Sequence, residues 1–290
     1  MKNTNPLLTL IASALLTLGS ARAAMVYYMP FDDGVNASLA NLGTAGGTAT
    51  TTGGPFNIPA HPSASTNVAP NLGSSHSEFF DAYFADTAGS VVLPNSLGSF
   101  VLDTSGDKMT ISTWVYWTGS ASSGIANNSN WSLSVTAGGK VNFFYDSVDG
   151  ASSRETSAAV ITAATWTNVT MTWDTTTNEA LDIYVNGTEF ALNVNFTGSG
   201  LLDSTNPDRI IQVGLASNDA PGGYFAIDGN LDDYAMWNTE LGAGFIKSLN
   251  TAPALLSGYN AGTMNTLFTA YGAAGSATIG PPAAFAGAMV

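Results

Sequence analysis

Residues 166–187 read WTNVTMTWDTTTNEALDIYVNG. Apolar residues at 169, 171 and 173 alternate with threonine, which is the two-residue period of a strand with one buried face. A polar connection leads to a second apolar run at 181–185. The pair Asn186-Gly187 follows directly, and Asn-Gly is a strong short-range signal for a β-hairpin. The stretch therefore predicts antiparallel strands.

Further strands are predicted on both sides of this hairpin, with turn residues every 8 to 15 positions. Residues 109–116 alternate, residues 131–135 and 141–145 flank a glycine-containing turn, and 210–215 and 231–237 complete the set. Phe190 and Leu192 begin a return strand after the Asn-Gly turn. Residues 41–77 have no periodicity and are rich in Gly, Thr, Ser, Pro and Asn, so we expect a surface excursion. Together these patterns predict an all-β sandwich closed by a short helix with Leu241, Phe245, Ile246 and Leu249 on its apolar face.

The composition excludes several classes of function. The chain has 7 basic and 21 acidic residues among 290, a net charge of −14, so it would repel a nucleic-acid backbone. It has no Cys, which excludes disulfides and thiolate metal sites. The acidic residues are mostly Asp, and short carboxylates in loops suit a hard, oxygen-liganded cation such as calcium.

The two ends of the chain differ from the middle. Residues 1–23 combine a basic start at Lys2, an apolar run from Leu7 to Leu18 and Ala21-Arg22-Ala23, which predicts a signal peptide cleaved after Ala23. The apolar run is too short for a membrane span, so we expect a secreted, cell-surface or periplasmic protein. After the 24–250 domain, residues 251–290 form a tail without charged residues, and 260–271 have the spacing of a second short helix.

Five segments in this order resemble the laminin-G-like jelly roll of the concanavalin A-like lectin/glucanase superfamily, in particular its bacterial secreted members. The resemblance covers residues 25–250 and implies a two-sheet antiparallel jelly-roll sandwich with short C-terminal helices. The matching segments are 28–34 (YMPFDDG), 109–117 (MTISTWVYW), 166–174 (WTNVTMTWD), 181–187 (LDIYVNG) and 231–241 (LDDYAMWNTEL).

In that family the first strand and the near-last strand run side by side, and their acidic ends often hold a structural calcium ion. The corresponding residues here are Asp32, Asp33, Asp232 and Asp233. Two Asp pairs brought together would repel unless a cation or protons neutralised them. Strict alternation would put Asp232 and Asp233 on opposite faces, so Asp232 is the first choice of ligand.

The sequence does not favour an enzyme. Glycosidases of this superfamily usually carry two Glu on one strand face, whereas the five Glu here are at least ten residues apart. A Ser-His-Asp triad would need His61 or His76, and both lie in or beside the 41–77 excursion. We therefore expect no catalytic residues.

What remains is recognition of a polysaccharide or glycoconjugate, because sugars are bound by aromatic rings together with amide and carboxylate groups. Two loops offer such residues. A cell-surface or matrix protein without a sugar ligand is the alternative, since the uncharged tail could dock on a surface-protein partner; a glycan hydrolase with unusual acids is a third. The candidate glycan-binding residues are Trp117, Asn128, Asn130, Trp131, Asn218, Asp219 and Tyr224.

Overall fold

The structure is a computed structural model, and it describes most of the chain between residues 25 and 251. The described residues are 25–32, 38–52, 63–70, 77–80, 90–96, 100, 102, 105–119, 121–128, 130–147, 150–176, 180–195, 210–217 and 224–251. The predicted signal peptide, both histidines and the uncharged tail lie outside these ranges.

The described residues form nineteen strands and one helix. In chain order they are β1 Met25–Met29, β2 Ser38–Ala40, β3 Thr48–Thr52, β4 Ser63–Ser65, β5 Ser77–Phe80, β6 Ser90–Val92, β7 Lys108–Trp117, β8 Ser123–Asn127, β9 Trp131–Val135, β10 Val141–Ser147, β11 Gly150–Thr156, β12 Trp166–Asp174, β13 Ala180–Val185, β14 Thr188–Phe190, β15 Leu192–Asn195, β16 Gln212–Val213, β17 Leu215–Ser217, β18 Tyr224–Ala226, β19 Gly229–Trp237 and α1 Ala243–Thr251.

Two antiparallel sheets make a jelly-roll sandwich, which confirms the predicted fold class. The eight-stranded sheet has the order β14-β13-β12-β7-β19-β5-β4, with β1 also paired to β19. The nine-stranded sheet has the order β15-β11-β10-β9-β8-β16-β6-β3-β2, and β17 and β18 form a separate pair. The first and near-last strands are thus neighbours, as the family resemblance implies.

The apolar residues of the two inner faces form one core between the sheets. Trp173 of β12 meets Phe143 of the opposite sheet edge to face, with ring centroids 5.3 Å apart, and Tyr145 with centroids 4.9 Å apart. These side chains occupy the alternate positions predicted from the two-residue period. On the outer face of the eight-stranded sheet, α1 packs Ile246 and Leu249 in one cluster with Tyr28 and Trp237.

The Asn-Gly hairpin forms as predicted, but the strands around it differ in detail. Asn186 and Gly187 both have positive φ, 51° and 73°, as a tight two-residue turn requires. The return strand breaks at Ala191, so β14 stays beside β13 while β15 pairs with β11 of the other sheet. The predicted 210–215 strand is likewise divided at Gly214, whose φ of +82° departs from the extended conformation of a strand. The position requires glycine, because a Cβ there would meet the ring of Phe80 at 2.1 Å.

Residues 41–77 are more regular than the sequence predicts. Two of their stretches are strands: β3 pairs with β2 and β6 in the nine-stranded sheet, and β4 pairs with β5 in the other. β3 lies between β2 and β6, and its threonines are β-branched residues, which favour strands. Periodicity failed to reveal these strands because each is short, at three to five residues.

Candidate functional site

A β-bulge in β19 carries the two adjacent aspartates. Along one edge, β19 pairs with β5 at residues 229–231 and with β1 at residues 234–237, so Asp232 and Asp233 fall between the two partners. Along its other edge, the register with β7 shifts between Asp232 and Ala235. Asp233 has φ +49°, a left-handed conformation that Asp adopts more readily than most residues.

The bulge brings both aspartates to the outer face of the sheet, which corrects the expectation from strict alternation. Leu231 and Tyr234 both belong to the inner core although three positions separate them. The extra residue therefore resets the alternation between them. The bonding partners of Asp232 and Asp233, Ala69 and Tyr28, belong to the apolar clusters outside that core.

Each aspartate has one bonded oxygen and one oxygen without a hydrogen-bond partner among the described residues. The Ala69 N–H donates to Asp232 Oδ2 at 3.0 Å, and the Tyr28 hydroxyl donates to Asp233 Oδ1 at 2.5 Å. Asp232 Oδ1 and Asp233 Oδ2 are buried and unpaired. The two residues are 0% and 1% exposed, so neither carboxylate is in contact with bulk solvent.

Burial and mutual repulsion make the charged form of this pair unfavourable. Burial, followed by the negative charge of Asp233, raises the pKa of Asp232 to about 9. Burial raises the pKa of Asp233 to about 7, although the bond from Tyr28 favours its charged form. The charge of Asp32 raises both pKa values, which places this half-buried residue close to the pair. Such a site gains stability from protons or from a cation.

The arrangement fits a hard cation in part. The two unpaired carboxylate oxygens are the donors calcium prefers. Asp33, the fourth predicted ligand, lies outside the described residues. Within the described ranges, no group of three or more His, Asp or Glu side chains is arranged to hold a metal ion. The described donors are therefore Asp232 and Asp233, with Asp32 nearby.

A short segment after β4, residues 66–70, covers the outer face beside the pair. Besides the bond from Ala69 to Asp232, Asn67 Oδ1 accepts from the indole N–H of Trp166 at 3.1 Å, and Asn67 Nδ2 donates to Asn230 at 3.3 Å. Ala69 also packs with Trp114. Sequence reasoning missed Tyr28 and the Ala69 N–H as partners of the aspartates, since neither residue type nor spacing identifies a backbone donor 163 positions away.

The candidate glycan-binding residues of the first loop are buried and contact other parts of the protein. Trp117 and Trp131 belong to the core, 4% and 1% exposed, and Trp117 Nε1 donates to the Ala121 carbonyl. Asn128 is fully buried: its Oδ1 accepts from the backbone N–H groups of Asn130 and Trp131, both at 3.1 Å. Asn130 is 4% exposed. This burial does not favour a sugar contact for any of the four.

The candidate glycan-binding side chains of the second predicted loop lie outside the described part of the chain. Asn218 and Asp219 lie outside the described residues, and Tyr224 begins β18 with its side chain outside them. Their role in sugar binding stays a prediction.

The described glutamates have ordinary structural environments, with one exception. Glu155 Oε1 accepts from Lys140 at 2.7 Å, Glu240 lies 3.6 Å from Lys108, and Glu189 is exposed. Glu78 of β5 is fully buried and faces the sandwich interior, and neither of its oxygens has a partner among the described residues. The carboxyl group of Glu78 is therefore not at the protein surface.

The chain belongs to the Laminin_G_3 family of the concanavalin A-like lectin/glucanases superfamily, whose sequence pattern matches residues 85–247. The match covers more than half of the chain and includes β7, the 166–187 hairpin and the bulged strand β19. A comparison with curated proteins found no match. Among the described residues, no helix has the length and hydropathy of a membrane span.

Solved structures share the fold at low identity. Domain 4 of AbnA, a GH43 extracellular arabinanase from Geobacillus stearothermophilus in complex with arabinotriose, superposes with TM-score 0.51 at 17% identity, covering 79% of this chain and 99% of that one. The receptor-binding domain of botulinum neurotoxin C/D mosaic serotype superposes with TM-score 0.52 at 15% identity, covering 79% of this chain and 51% of that one. A structure of botulinum neurotoxin type C, whose cell entry is dependent upon interaction with two ganglioside molecules, superposes with TM-score 0.51 at 14% identity, covering 79% of this chain and 51% of that one. The chain thus spans about half the length of the neurotoxin domains.

Proposed function

We propose that the protein is a secreted, non-catalytic glycan-binding or adhesive module stabilised by calcium. The observation that carries the proposal is the match to the arabinanase domain, which covers 99% of that domain. The structure of the arabinanase domain is a complex with arabinotriose. The ganglioside-dependent neurotoxin domain is a second relative in fold whose ligand is a glycan. Fold likeness at this identity supports a class of ligand and leaves the individual sugar open.

A non-catalytic role is supported by the placement of the acidic residues. Asp232 and Asp233 are buried, Asp232 is bonded to Ala69 of the 66–70 segment, and Glu78 is enclosed in the core. Retaining and inverting glycosidases need two carboxyl groups that flank a bound sugar, so these buried acids are poorly placed for that reaction.

Calcium would lie at the bulge, held by Asp232 and Asp233 with Asp32 and Asp33 from the end of β1. Asp232 Oδ1 and Asp233 Oδ2 support this assignment because both are buried without a partner. A divalent cation there would neutralise the repulsion that raises the pKa of both groups.

The calcium proposal predicts that calcium raises the unfolding temperature of the wild-type protein and has no such effect on an aspartate variant. At 100 times its dissociation constant calcium adds about 2.7 kcal/mol, a rise of roughly 5–10 °C in the unfolding midpoint. Asp233→Asn should abolish this rise, and in excess chelator it should unfold no earlier than wild type, because the variant removes an unfavourable buried charge. Differential scanning calorimetry measures both. Asp107→Asn is the matched control and should keep the calcium response; equal midpoints with calcium and with chelator in wild type would refute the site.

Glycan binding itself is tested on an array of neutral and acidic oligosaccharides probed with the purified protein in calcium. We expect specific, saturable binding to a subset of the glycans. Silence across the array, with the protein shown to be folded, would favour the alternative of a surface-structural protein that binds no sugar.

A further inference from the structure

A groove separate from the acidic bulge opens at one end of the sandwich. It has a volume of about 410 Å³ and lies between β1, residues Phe100 and Leu102, the turn before β7 and the end of β19. The size is within the range of small-molecule sites. Its lining includes Val26, Phe100, Leu102, Asp107, Lys108 and Asn238.

The wall formed by Phe100 and Leu102 is held in a strained conformation. Both residues have φ +53°, a conformation that costs energy for a bulky side chain. The Phe100 carbonyl accepts from Asn128 Nδ2 at 3.1 Å and from Trp131 Nε1 at 3.3 Å, and both donor side chains are buried. Two buried donors therefore fix the position of this wall before any ligand arrives.

The polar side of the groove is fixed as well. The Thr175 N–H donates to the Asp107 carbonyl at 2.9 Å, and the Gly106 N–H donates to Thr175 Oγ1 at 3.1 Å. Lys108 is paired with Asp174 and lies 3.6 Å from Glu240, with its side chain 38% exposed. Asn238 is exposed at the end of β19.

From this geometry we infer that the groove binds a neutral oligosaccharide end, with the pyranose or furanose ring against the half-buried side chains of Phe100 and Val26 and its hydroxyls toward Asp107, Lys108 and Asn238. The inference rests on the proposed glycan-binding function and assigns its site. An aromatic and aliphatic wall suits the C–H face of a sugar. A sugar hydroxyl both donates and accepts, so it can bond to a carboxylate, an ammonium and an amide in one site.

The charges at the groove favour a neutral glycan over a sialylated or uronic-acid one. Asp107 lines the groove, and the ammonium group of Lys108 already faces the two carboxylates of Asp174 and Glu240. The whole chain carries a net charge of −14. An acidic sugar would add a negative charge to this field, whereas a neutral sugar would not.

The test is isothermal titration calorimetry with the neutral oligosaccharide that binds best on the array and with its sialylated counterpart. We expect Phe100→Ala and Asn238→Ala each to weaken neutral-sugar binding at least about tenfold, which is the loss of one good contact. Asn238 is exposed, so its variant should fold normally even if removal of the Phe100 ring lowers stability. Asn193→Ala, exposed on β15, is the matched control and should bind as wild type does.

The possible results distinguish an error in the assignment of the groove from an error in the proposed glycan-binding function. Binding by wild type that is unchanged in Asn238→Ala and in folded Phe100→Ala would overturn the groove and leave the glycan-binding function intact. Equal or tighter binding of the sialylated sugar would overturn its neutral selectivity. A folded wild-type protein that binds no sugar would overturn both the groove and the function.

Discussion

Replacing Gly229 by Ala should destabilise the protein by at least about 3 kcal/mol or prevent folding. Gly229 begins β19 with φ +149°, a conformation that L-residues rarely adopt. A Cβ at this position would lie 1.8 Å from the Tyr116 carbonyl oxygen and 3.3 Å from the Trp117 Cα. These atoms are backbone of β7, so they cannot move aside as a side chain could, and the pairing of the two central strands would have to open.

Gly242→Ala is the matched control for this prediction. Gly242 precedes α1, and a Cβ there meets nothing within 4 Å, so its stability should change by less than about 1 kcal/mol. Soluble yield and urea unfolding of the two variants measure the difference. A Gly229→Ala protein as stable as Gly242→Ala would show that β19 does not approach β7 as closely as described.

The stability of the protein should fall as the pH rises from about 4.5 to 8, and Glu78 should cause much of the fall. Burial raises the pKa of Glu78 from 4.5 to about 8. The folded state therefore holds this proton more tightly than the unfolded state does, so the stabilisation is complete below pH 4.5 and is lost as the pH approaches 8. The shift corresponds to at most about 5 kcal/mol at 1.4 kcal/mol per pKa unit.

Glu78→Gln isolates this contribution because glutamine resembles the protonated acid in shape and has no charge. At pH 4 the variant and wild type should unfold at similar urea concentrations, and at pH 8.5 the variant should be the more stable by several kcal/mol. Exposed Glu189→Gln is the control and should follow wild type throughout. If the Glu78→Gln curve runs parallel to wild type at all pH values, the carboxyl has a charged partner or water at its side.

The sandwich could be predicted from sequence because its central strands are long and strictly alternating. Residues 169, 171 and 173 lie in the core as their spacing indicates, and Asn186-Gly187 forms the turn. The short strands β3 and β4 could not be predicted, since three to five residues are too few to establish a period. The sequence also does not indicate that the chain crosses from one sheet to the other between β14 and β15, because that crossing depends on the tertiary pairing of β15 with β11.

The acidic residues of the candidate site could be recognised from the sequence, but the predicted directions of their side chains were wrong. The Asp-Asp pair at 232–233 was recognisable, but alternation assigned the two side chains to opposite faces. The bulge depends on the pairing of β19 with β5 and β1 at once, a tertiary arrangement that a single strand does not reveal. Likewise, Asn128 and Trp131 look like sugar ligands in sequence, whereas in the structure they hold the Phe100 carbonyl.

If this jelly roll binds a glycan without cleaving it, a single pull-down assay should show both properties. The purified protein is incubated in calcium with an insoluble neutral polysaccharide such as arabinan, and the bound protein and the newly formed reducing ends are measured together. We predict saturable retention on the polysaccharide, release by the matching soluble oligosaccharide and no reducing ends above the blank. Absence of retention on every polysaccharide tried, or steady release of reducing ends by the pure protein, would contradict the account.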